Sequence, residues 1–211
     1  WNPIPSGDGQ SLSLRIQSNG PRYQSYNFSF TEPWLGGKRP QSFSIGGFYN
    51  HYSQTANSET GVKPFFNILG FTSSLGRRLN FPDNNFISTT AFNFQQYQLQ
   101  DWGSGLFKTE NGELVTDGSF YNININQTFA RSTVDHPFFP SSGSKFSLSM
   151  QFTLPYSLLN SKNYSSLSTN ERYKFLEYHK WQIGSEWYTK IAGDLVLKAY
   201  GKFGFLGSYN N

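Results

Sequence analysis

Three histidines and one Asp-His pair are the residues of this sequence whose side chains could take part in catalysis. His51, His136 or His179 could serve as a general base in a hydrolase, provided that a nucleophile stands within hydrogen-bond reach. Asp135 precedes His136 directly, but consecutive residues of a strand point to opposite faces, so this adjacency does not predict a dyad. None of the histidines has a carboxylate at a spacing typical of metal ligands. We therefore expect no catalytic residue, no metal site and no cofactor.

Patterns for binding phosphate or nucleic acid are equally weak. The pairs Gly36–Gly37 and Gly46–Gly47 are not followed by a helical pattern, which a phosphate-binding loop requires. The only adjacent basic pairs are Lys38–Arg39 and Arg77–Arg78. The formal charge of +4, from 17 Lys and Arg against 13 Asp and Glu, is spread along the chain. A nucleic-acid partner is therefore not expected.

The composition excludes several classes of protein. The chain has 211 residues, of which 36% are hydrophobic, 18% aromatic and 14% charged, and it contains no cysteine. Without cysteine it cannot be a disulfide scaffold or hold a thiolate-ligated metal. No stretch approaches the roughly 18 consecutive apolar residues of a membrane-spanning helix. So many aromatic residues must be buried somewhere, which argues against disorder.

The dominant pattern is alternation of apolar and polar residues, which predicts strands with one apolar and one polar face. It recurs in nine segments, at residues 11–17, 25–30, 43–49, 65–77, 86–99, 121–129, 146–154, 179–190 and 194–205. In the fifth segment the apolar parity changes between Ala91 and Phe92, which predicts a β-bulge. A helical pattern is nearly absent, and only Asn170–Glu177 is predicted to form a short helical turn.

The polar face of these strands favours a membrane protein over a soluble one. It consists mostly of Ser, Asn, Gln, Thr and Gly, and the mid-strand charges share its parity: Arg15, Glu186, Lys198 and Lys202. Such strands fit a barrel whose outer face meets lipid and whose inner face meets water. We therefore predict an all-β fold, a transmembrane antiparallel β-barrel. The alternative fold is a soluble, lectin-like β-sandwich.

The connections between strands alternate in length, as in outer-membrane barrels with long outer loops and short periplasmic turns. Apart from Asn19–Arg22, which is short, the outer loops are predicted at Ser53–Pro64, Gln100–Gly118 and Pro155–Tyr178. The periplasmic turns are predicted at Thr31–Pro40, Leu79–Asn85, Arg131–Ser144 and Ile191–Gly193. Aromatic residues near strand ends are predicted to lie at the lipid–water interface: Trp34, Tyr52, Phe81, Tyr97, Trp102, Phe138, Phe139, Tyr156, Tyr178 and Trp181.

Two of the turns carry motifs. The first runs from Phe28 to Gly37, ends a strand at Pro33–Trp34 and restarts after two glycines. The second begins at Asp135 and continues through Phe139, Pro140 and Gly143. Proline fixes φ and glycine permits positive φ, which is the residue requirement of a tight turn.

At these turns the sequence resembles the barrel of the BamA-like outer-membrane assembly factors, the superfamily that includes TamA. In that family a strand ends in a pattern like Ser-x-Thr-Asn-Pro-Tyr/Trp, which Phe28–Trp34 resembles, and a later Asp precedes a Phe-Pro-x-x-Gly turn, matched by Phe139–Gly143. The resemblance implies structural roles for six turn residues: Pro33, Trp34, Asp135, Phe139, Pro140 and Gly143. It also implies that the chain covers about nine strands, the third to the eleventh, of a sixteen-stranded barrel.

The resemblance further implies a function. We expect residues 1–211 to be one segment of an incomplete outer-membrane barrel, without a POTRA domain, in a protein that folds and inserts other barrel proteins. Its implied partners are the lipid bilayer, unfolded outer-membrane protein clients and accessory envelope lipoproteins, and its implied location is the bacterial outer membrane. The alternatives are a passive porin or protein-secretion barrel and, less favoured by the residues, a barrel hydrolase.

Overall fold

The computed structural model describes residues 9–37, 41–56, 61–103, 105, 108, 112–159, 171 and 173–209 of the chain. Nine antiparallel strands form a single sheet in which neighbours along the chain are neighbours in space. The strands are β1 (Ser11–Ser18), β2 (Tyr23–Glu32), β3 (Gln41–Ser53), β4 (Phe65–Arg78), β5 (Phe86–Gln100), β6 (Gly118–Ser132), β7 (Gly143–Thr153), β8 (His179–Ala192) and β9 (Leu195–Gly207). A one-turn helix, α1, covers Tyr156–Leu159. Among the described residues, no helix has the length and apolarity needed to span a membrane.

The alternating pattern of each strand is aligned across the whole sheet. Residues opposite each other in antiparallel strands share a face, and the register therefore joins apolar residues into continuous rows. One row near the middle of the strands contains Leu14, Phe28, Gly47, Phe71, Phe94 and Ile123. We call the face with this row the apolar face and the opposite one the polar face.

The two faces differ as the sequence predicted. Most of the large apolar strand residues that are exposed lie on the apolar face; Ile87, Tyr200 and Leu206 are exceptions on the polar face. The mid-strand charges Arg15 and Glu186 lie on the polar face, as do Lys198 and Lys202. Side chains such as Leu14 and Ile16 are 72% and 75% exposed in this single sheet. A contiguous apolar surface of this kind requires a non-aqueous neighbour.

Two local expectations from the sequence are wrong or only partly testable. There is no bulge at Ala91–Phe92, because β5 keeps a continuous register with both β4 and β6. The apolar parity changes there because Ile87, near the strand end, and the small Ala91 are accommodated on the polar face. The register shift lies instead between Lys190 and Ala192. Of the helical turn predicted at residues 170–177, positions 170 and 172 lie outside the described residues, and Phe175 forms a β-bridge with Tyr121.

The connections divide the sheet into two ends. The strand ends joined by the β1–β2, β3–β4, β5–β6 and β7–β8 connections form the long-loop end, and those joined by the β2–β3, β4–β5, β6–β7 and β8–β9 connections form the short-turn end. Polar groups interrupt the apolar face at both ends. On β3, for example, the apolar-face positions Phe43 to Tyr49 lie between His51 at the long-loop end and Gln41 at the short-turn end.

This spacing matches the thickness of a membrane. Gln41 and His51 are ten positions apart, which is about 33 Å along a strand that rises about 3.3 Å per residue. A strand tilt of about 40° reduces the projected height to about 25 Å, the height of the apolar band of an outer-membrane barrel. The polar limits of the apolar face thus fall where the two lipid–water interfaces would lie.

The small buried core lies on the polar face, at the long-loop end. Its centre consists of Phe66, Leu99 and Phe120, and the residues packed around it are Tyr52, Ile68, Tyr97, Trp102, Val115 and Tyr173. Phe66 stacks with Tyr97 at a ring-centroid distance of 6.3 Å, and Trp102 belongs to the connection that follows β5. The prediction that Tyr52, Tyr97 and Trp102 lie at the lipid interface is therefore wrong. Connections at the long-loop end supply apolar partners on the polar face. The alternation of apolar and polar residues within a strand does not reveal such contacts.

Candidate functional site

The Asp135 carboxylate organises the turn between β6 and β7. It accepts hydrogen bonds from the backbone N–H groups of His136 at 3.0 Å, Ser141 at 2.9 Å and Ser142 at 3.1 Å. The Ser141 hydroxyl donates a further hydrogen bond to Oδ2. These donors stabilise the charged form and hold the pKa of Asp135 well below its usual range. The Asp135 side chain thereby joins the start of the β6–β7 turn to its end, as the structural role implied by the turn motif requires.

Gly143 closes the same turn at the first position of β7. Its φ is +104°, and a Cβ at this position would collide with the backbone of Thr133 and Val134. Only glycine fits such a conformation without strain. Phe139 projects from the turn and is 88% exposed, and Pro140 follows it. The turn is thus rigidly held at its base and apolar at its tip.

The Pro33–Trp34 turn between β2 and β3 is built in a related way. The carboxylate of Glu32, which is 3% exposed, accepts hydrogen bonds from the Trp34 backbone N–H at 3.0 Å and from the Gln10 amide at 2.6 Å. Trp34 is 53% exposed at the short-turn end, as expected of an interfacial residue. Glu32 was not predicted as a turn-holding residue, although its place directly before Pro33–Trp34 was the available signal in the sequence.

A third carboxylate holds the turn between β4 and β5. Asp83 accepts the Asn85 backbone N–H at 2.8 Å, and Nε and Nη2 of Arg131 donate to its Oδ2 at 2.8 and 2.7 Å. Hydrogen bonding to Arg131 and to the Asn85 backbone lowers the pKa of Asp83. Three successive turns at the short-turn end therefore each contain an acidic side chain that accepts a backbone N–H.

Replacing Asp135 by asparagine is expected to destabilise the protein at neutral pH more than at acidic pH. Because the folded-state pKa is lowered, the contribution of the carboxylate is fully present above the ordinary aspartate pKa and is lost as pH falls through the lowered value. The difference in unfolding free energy between wild type and Asp135→Asn should therefore be constant from about pH 7 to about pH 5 and should shrink as the pH falls below the ordinary aspartate pKa. Urea titrations of the full-length protein at a series of pH values would measure it. A difference that stays constant with pH would contradict this role.

The polar face carries a series of side-chain hydrogen bonds across three strands, β4, β5 and β6. Thr72 donates to Asn93 at 3.0 Å, Asn93 donates to Asn124 at 3.0 Å, and Asn124 donates to Asn122 at 3.0 Å. Asn124 is 3% exposed and Asn122 is 8% exposed. Burying an amide costs free energy unless the amide is hydrogen-bonded. These hydrogen bonds therefore satisfy the buried polar groups of the polar face without any charged residue.

Tyr178 extends this hydrogen-bond chain to the last outer connection. Its hydroxyl accepts hydrogen bonds from the amides of Asn122 at 3.2 Å and Gln151 at 2.8 Å. The Tyr178 backbone N–H donates to the Thr153 hydroxyl at 2.7 Å. Tyr178 therefore fixes the end of the β7–β8 connection to the polar face. The prediction that it lies at the lipid interface is wrong.

Removing this hydroxyl by Tyr178→Phe is expected to lower the unfolding free energy by about 1–3 kcal/mol, because the buried amide of Asn122 and the half-buried amide of Gln151 lose their acceptor. Equilibrium unfolding in lipid vesicles would measure the loss. Tyr156→Phe is the matched control, since the Tyr156 hydroxyl is buried without a hydrogen-bond partner among the described residues. Equal losses in the two variants would mean that the hydrogen bonds of Tyr178 contribute nothing specific.

The histidines do not come together with catalytic partners. His51 Nδ1 is hydrogen-bonded to the Asn67 side chain at 2.6 Å, and Trp181 donates its indole N–H to His179 Nδ1 at 3.2 Å. His136 donates its backbone N–H to Asp135. Within the part of the chain that the structure describes, no cluster of three or more His, Asp or Glu side chains could hold a metal ion. Among the described residues, the candidates for a functional surface are therefore the apolar face, the hydrogen-bonded polar face and the three turns that carboxylates hold at the short-turn end.

Comparisons with known proteins agree with this geometry. The model of the Omp85 superfamily domain matches residues 6–211. The fold is similar to that of BamA from Haemophilus ducreyi lacking POTRA domains 1–3, with a TM-score of 0.63 and 18% identity, over 97% of this chain and 36% of that one. No curated protein sequence matches the chain. The family model covers nearly the whole sequence, and the nine antiparallel strands with one apolar face agree with it. The chain therefore belongs to the Omp85 superfamily of outer-membrane β-barrel proteins.

Proposed function

We propose that this chain is part of the barrel wall of a protein that folds and inserts other β-barrel proteins into the bacterial outer membrane. The observation that supports this most is the correspondence of the nine-stranded sheet to the BamA barrel, together with the superfamily match. The chain spans 36% of the length of that BamA structure, and the activity of the whole protein is therefore part of the proposal. Residues 1–211 act as one barrel segment in it.

The proposed mechanism needs no covalent chemistry and no cofactor. A client hairpin pairs by strand addition at a weakly closed seam, where backbone hydrogen bonds provide the affinity, and a locally thinned bilayer eases its entry. Residues 1–211 supply a rigid wall opposite that seam, and the support for this role is the continuous pairing of nine strands in one sheet. Its partners are the bilayer, unfolded barrel proteins and accessory envelope lipoproteins.

The two turn motifs support the wall. Asp135 and Gly143 fix the start of β7, and Glu32 with Pro33–Trp34 fixes the end of β2. The proposal assigns them structural roles in keeping neighbouring strands in register. It assigns no catalytic residue to the chain.

The test is client folding by the full-length protein in liposomes. An unfolded outer-membrane protein is added, and the rate at which it becomes resistant to protease is compared with the rate in liposomes that hold an unrelated porin. An assembly factor should accelerate client folding above the porin control. Equal rates in both liposomes, together with passage of small solutes, would overturn the proposal in favour of a passive porin or secretion barrel.

A further inference from the structure

A groove of about 480 Å³ lies at the short-turn end, between the β6–β7 turn and the β8–β9 hairpin. The turn contributes Phe138 and Phe139, and the hairpin contributes Tyr188, Lys190, Val196 and Lys198. The register places all four hairpin residues on the polar face. The groove therefore opens on the inner side of the wall, and this turn reaches over it.

The groove combines an exposed aromatic wall with positive charge. Phe138 and Phe139 are 86% and 88% exposed, although side chains of this size are ordinarily covered. Asp194 is the only acidic residue among the described groove-lining residues, against Lys190 and Lys198. Glu186, farther along the polar face, is already engaged, since it lies 3.4 Å from Lys198 Nζ and accepts the Tyr188 hydroxyl at 2.8 Å.

The positive charge continues along the polar face of the same strands. Lys145 and Lys202 line an adjoining cavity of about 300 Å³ together with Glu186. Because Lys198 and Glu186 pair with each other, a partner entering along this wall meets the positive charge of Lys145, Lys190 and Lys202 against the single carboxylate of Asp194 among the described lining residues. Long-range attraction of this kind selects acidic partners and speeds their encounter.

We propose that the groove formed by Phe138, Phe139, Tyr188, Lys190, Val196 and Lys198 binds an extended polypeptide segment in which aromatic or aliphatic side chains alternate with acidic ones. The apolar side chains would cover the two Phe rings, and the carboxylates would meet the lysines. An acyl chain does not fit the same position, because the groove lies on the polar face and lipid borders the opposite face. The choice of an unfolded polypeptide as occupant rests on the proposed function.

The proposal is tested by peptide binding to the full-length protein in nanodiscs. A fluorescent peptide of alternating Phe and Asp is compared with peptides of alternating Phe and Lys and of alternating Ser and Asp. The Phe-Asp peptide should bind most tightly. The double variant Phe138→Ser/Phe139→Ser and the variant Lys190→Glu should each weaken its binding by roughly tenfold.

Matched variants show whether the effect belongs to this groove. Phe81→Ser removes a Phe that is 84% exposed on a neighbouring turn of the same end but does not line the groove. Lys63→Glu makes the same change of charge in the β3–β4 connection at the long-loop end. Both should bind the Phe-Asp peptide like wild type. Equal losses in the Phe81 and Phe138/Phe139 variants, or equal affinity for the Phe-Lys peptide, would overturn the proposal.

A photoreactive benzoylphenylalanine at position 138 distinguishes the possible occupants. Cross-linking to the Phe-Asp peptide supports the proposal, whereas adducts only with phospholipid, with a second copy or with another segment of the same chain overturn it. The binding assay includes no folding step. A protein that binds the peptide but does not accelerate client folding would therefore overturn the proposed function alone, and one that folds clients without binding the peptide would overturn only the groove.

Discussion

Replacing Phe28 by lysine is expected to destabilise the folded barrel by about 2–4 kcal/mol, the cost measured for a cation on the lipid face near the bilayer midplane. Phe28 lies near the middle of β2, on the apolar face, opposite Leu14 and Gly47. A lysine there would lose the apolar contact with lipid and would have to extend its charge toward an interface. Reversible urea unfolding of the full-length protein in phosphatidylcholine vesicles would measure the change.

The adjacent Ser29 provides the control for this prediction. It lies on the polar face, opposite Ser13 and Gly46, and it is exposed. Ser29→Lys introduces the same charge one position along the chain and should change stability by no more than about 0.5 kcal/mol. If Ser29→Lys proved as costly as Phe28→Lys, or more costly, the assignment of the two faces would be wrong.

Gly143→Ala is expected to lower the unfolding free energy by about 3 kcal/mol, the upper end of the cost of a strained backbone conformation. A non-glycine residue is disfavoured at a φ of +104°, and its Cβ would also collide with the carbonyl of Thr133. Because Thr133 and Ser144 pair through the backbone at 2.9 Å at the base of this turn, the start of β7 should be displaced as well. Unfolding titrations and protection of β7 amides from hydrogen exchange would measure the two effects.

The glycine in the β8–β9 turn separates conformational strain from steric collision. Gly193 has a φ of +52°, and a Cβ added there would meet no atom within 4 Å. Gly193→Ala should therefore cost only about 1 kcal/mol, from the left-handed conformation alone. Equal costs at the two glycines would show that the Thr133 carbonyl does not constrain the β6–β7 turn.

The strands and their faces could be predicted because period two is a local property of the sequence. Segments such as Tyr121–Phe129 alternate strictly, and in the structure they form β6 with Ile123 and Ile125 on the apolar face. The alternation of short and long connections between strands could likewise be predicted from the sequence. The bulge predicted at Ala91–Phe92 was wrong because a small side chain fits on either face, so that its parity carries little information.

The contents of the polar face could not be predicted from period. Tyr52, Tyr97 and Trp102 looked like interfacial aromatics because they stand near strand ends. Their burial depends on residues that are distant in sequence, including Val115 and Tyr173, which reach the inner wall from two outer connections. Contacts of this kind depend on how loops fold over the sheet, and alternation within a strand does not encode that.

The positions of the turns were predicted, but the hydrogen bonds that hold them were not. Asp135 and Gly143 were singled out from the turn motif, and the structure adds the donors that surround the carboxylate. Glu32 and Asp83 were missed because an acidic residue next to a turn is common. Their importance follows only from the backbone N–H groups of Trp34 and Asn85, which the folded turns direct at them.

The central claim, that the apolar face meets hydrocarbon while the polar face lines an aqueous interior, is tested most directly by spin labels placed one at a time along β2. Residues 1–211 contain no cysteine, so a single cysteine introduced between Gln24 and Thr31 is the only one in this part of the protein. In lipid vesicles, labels at positions 26, 28 and 30 should collide mainly with molecular oxygen, which concentrates in the bilayer, and labels at positions 25, 27 and 29 with a water-soluble nickel chelate. The opposite phase, or accessibility without a period of two, would contradict the account.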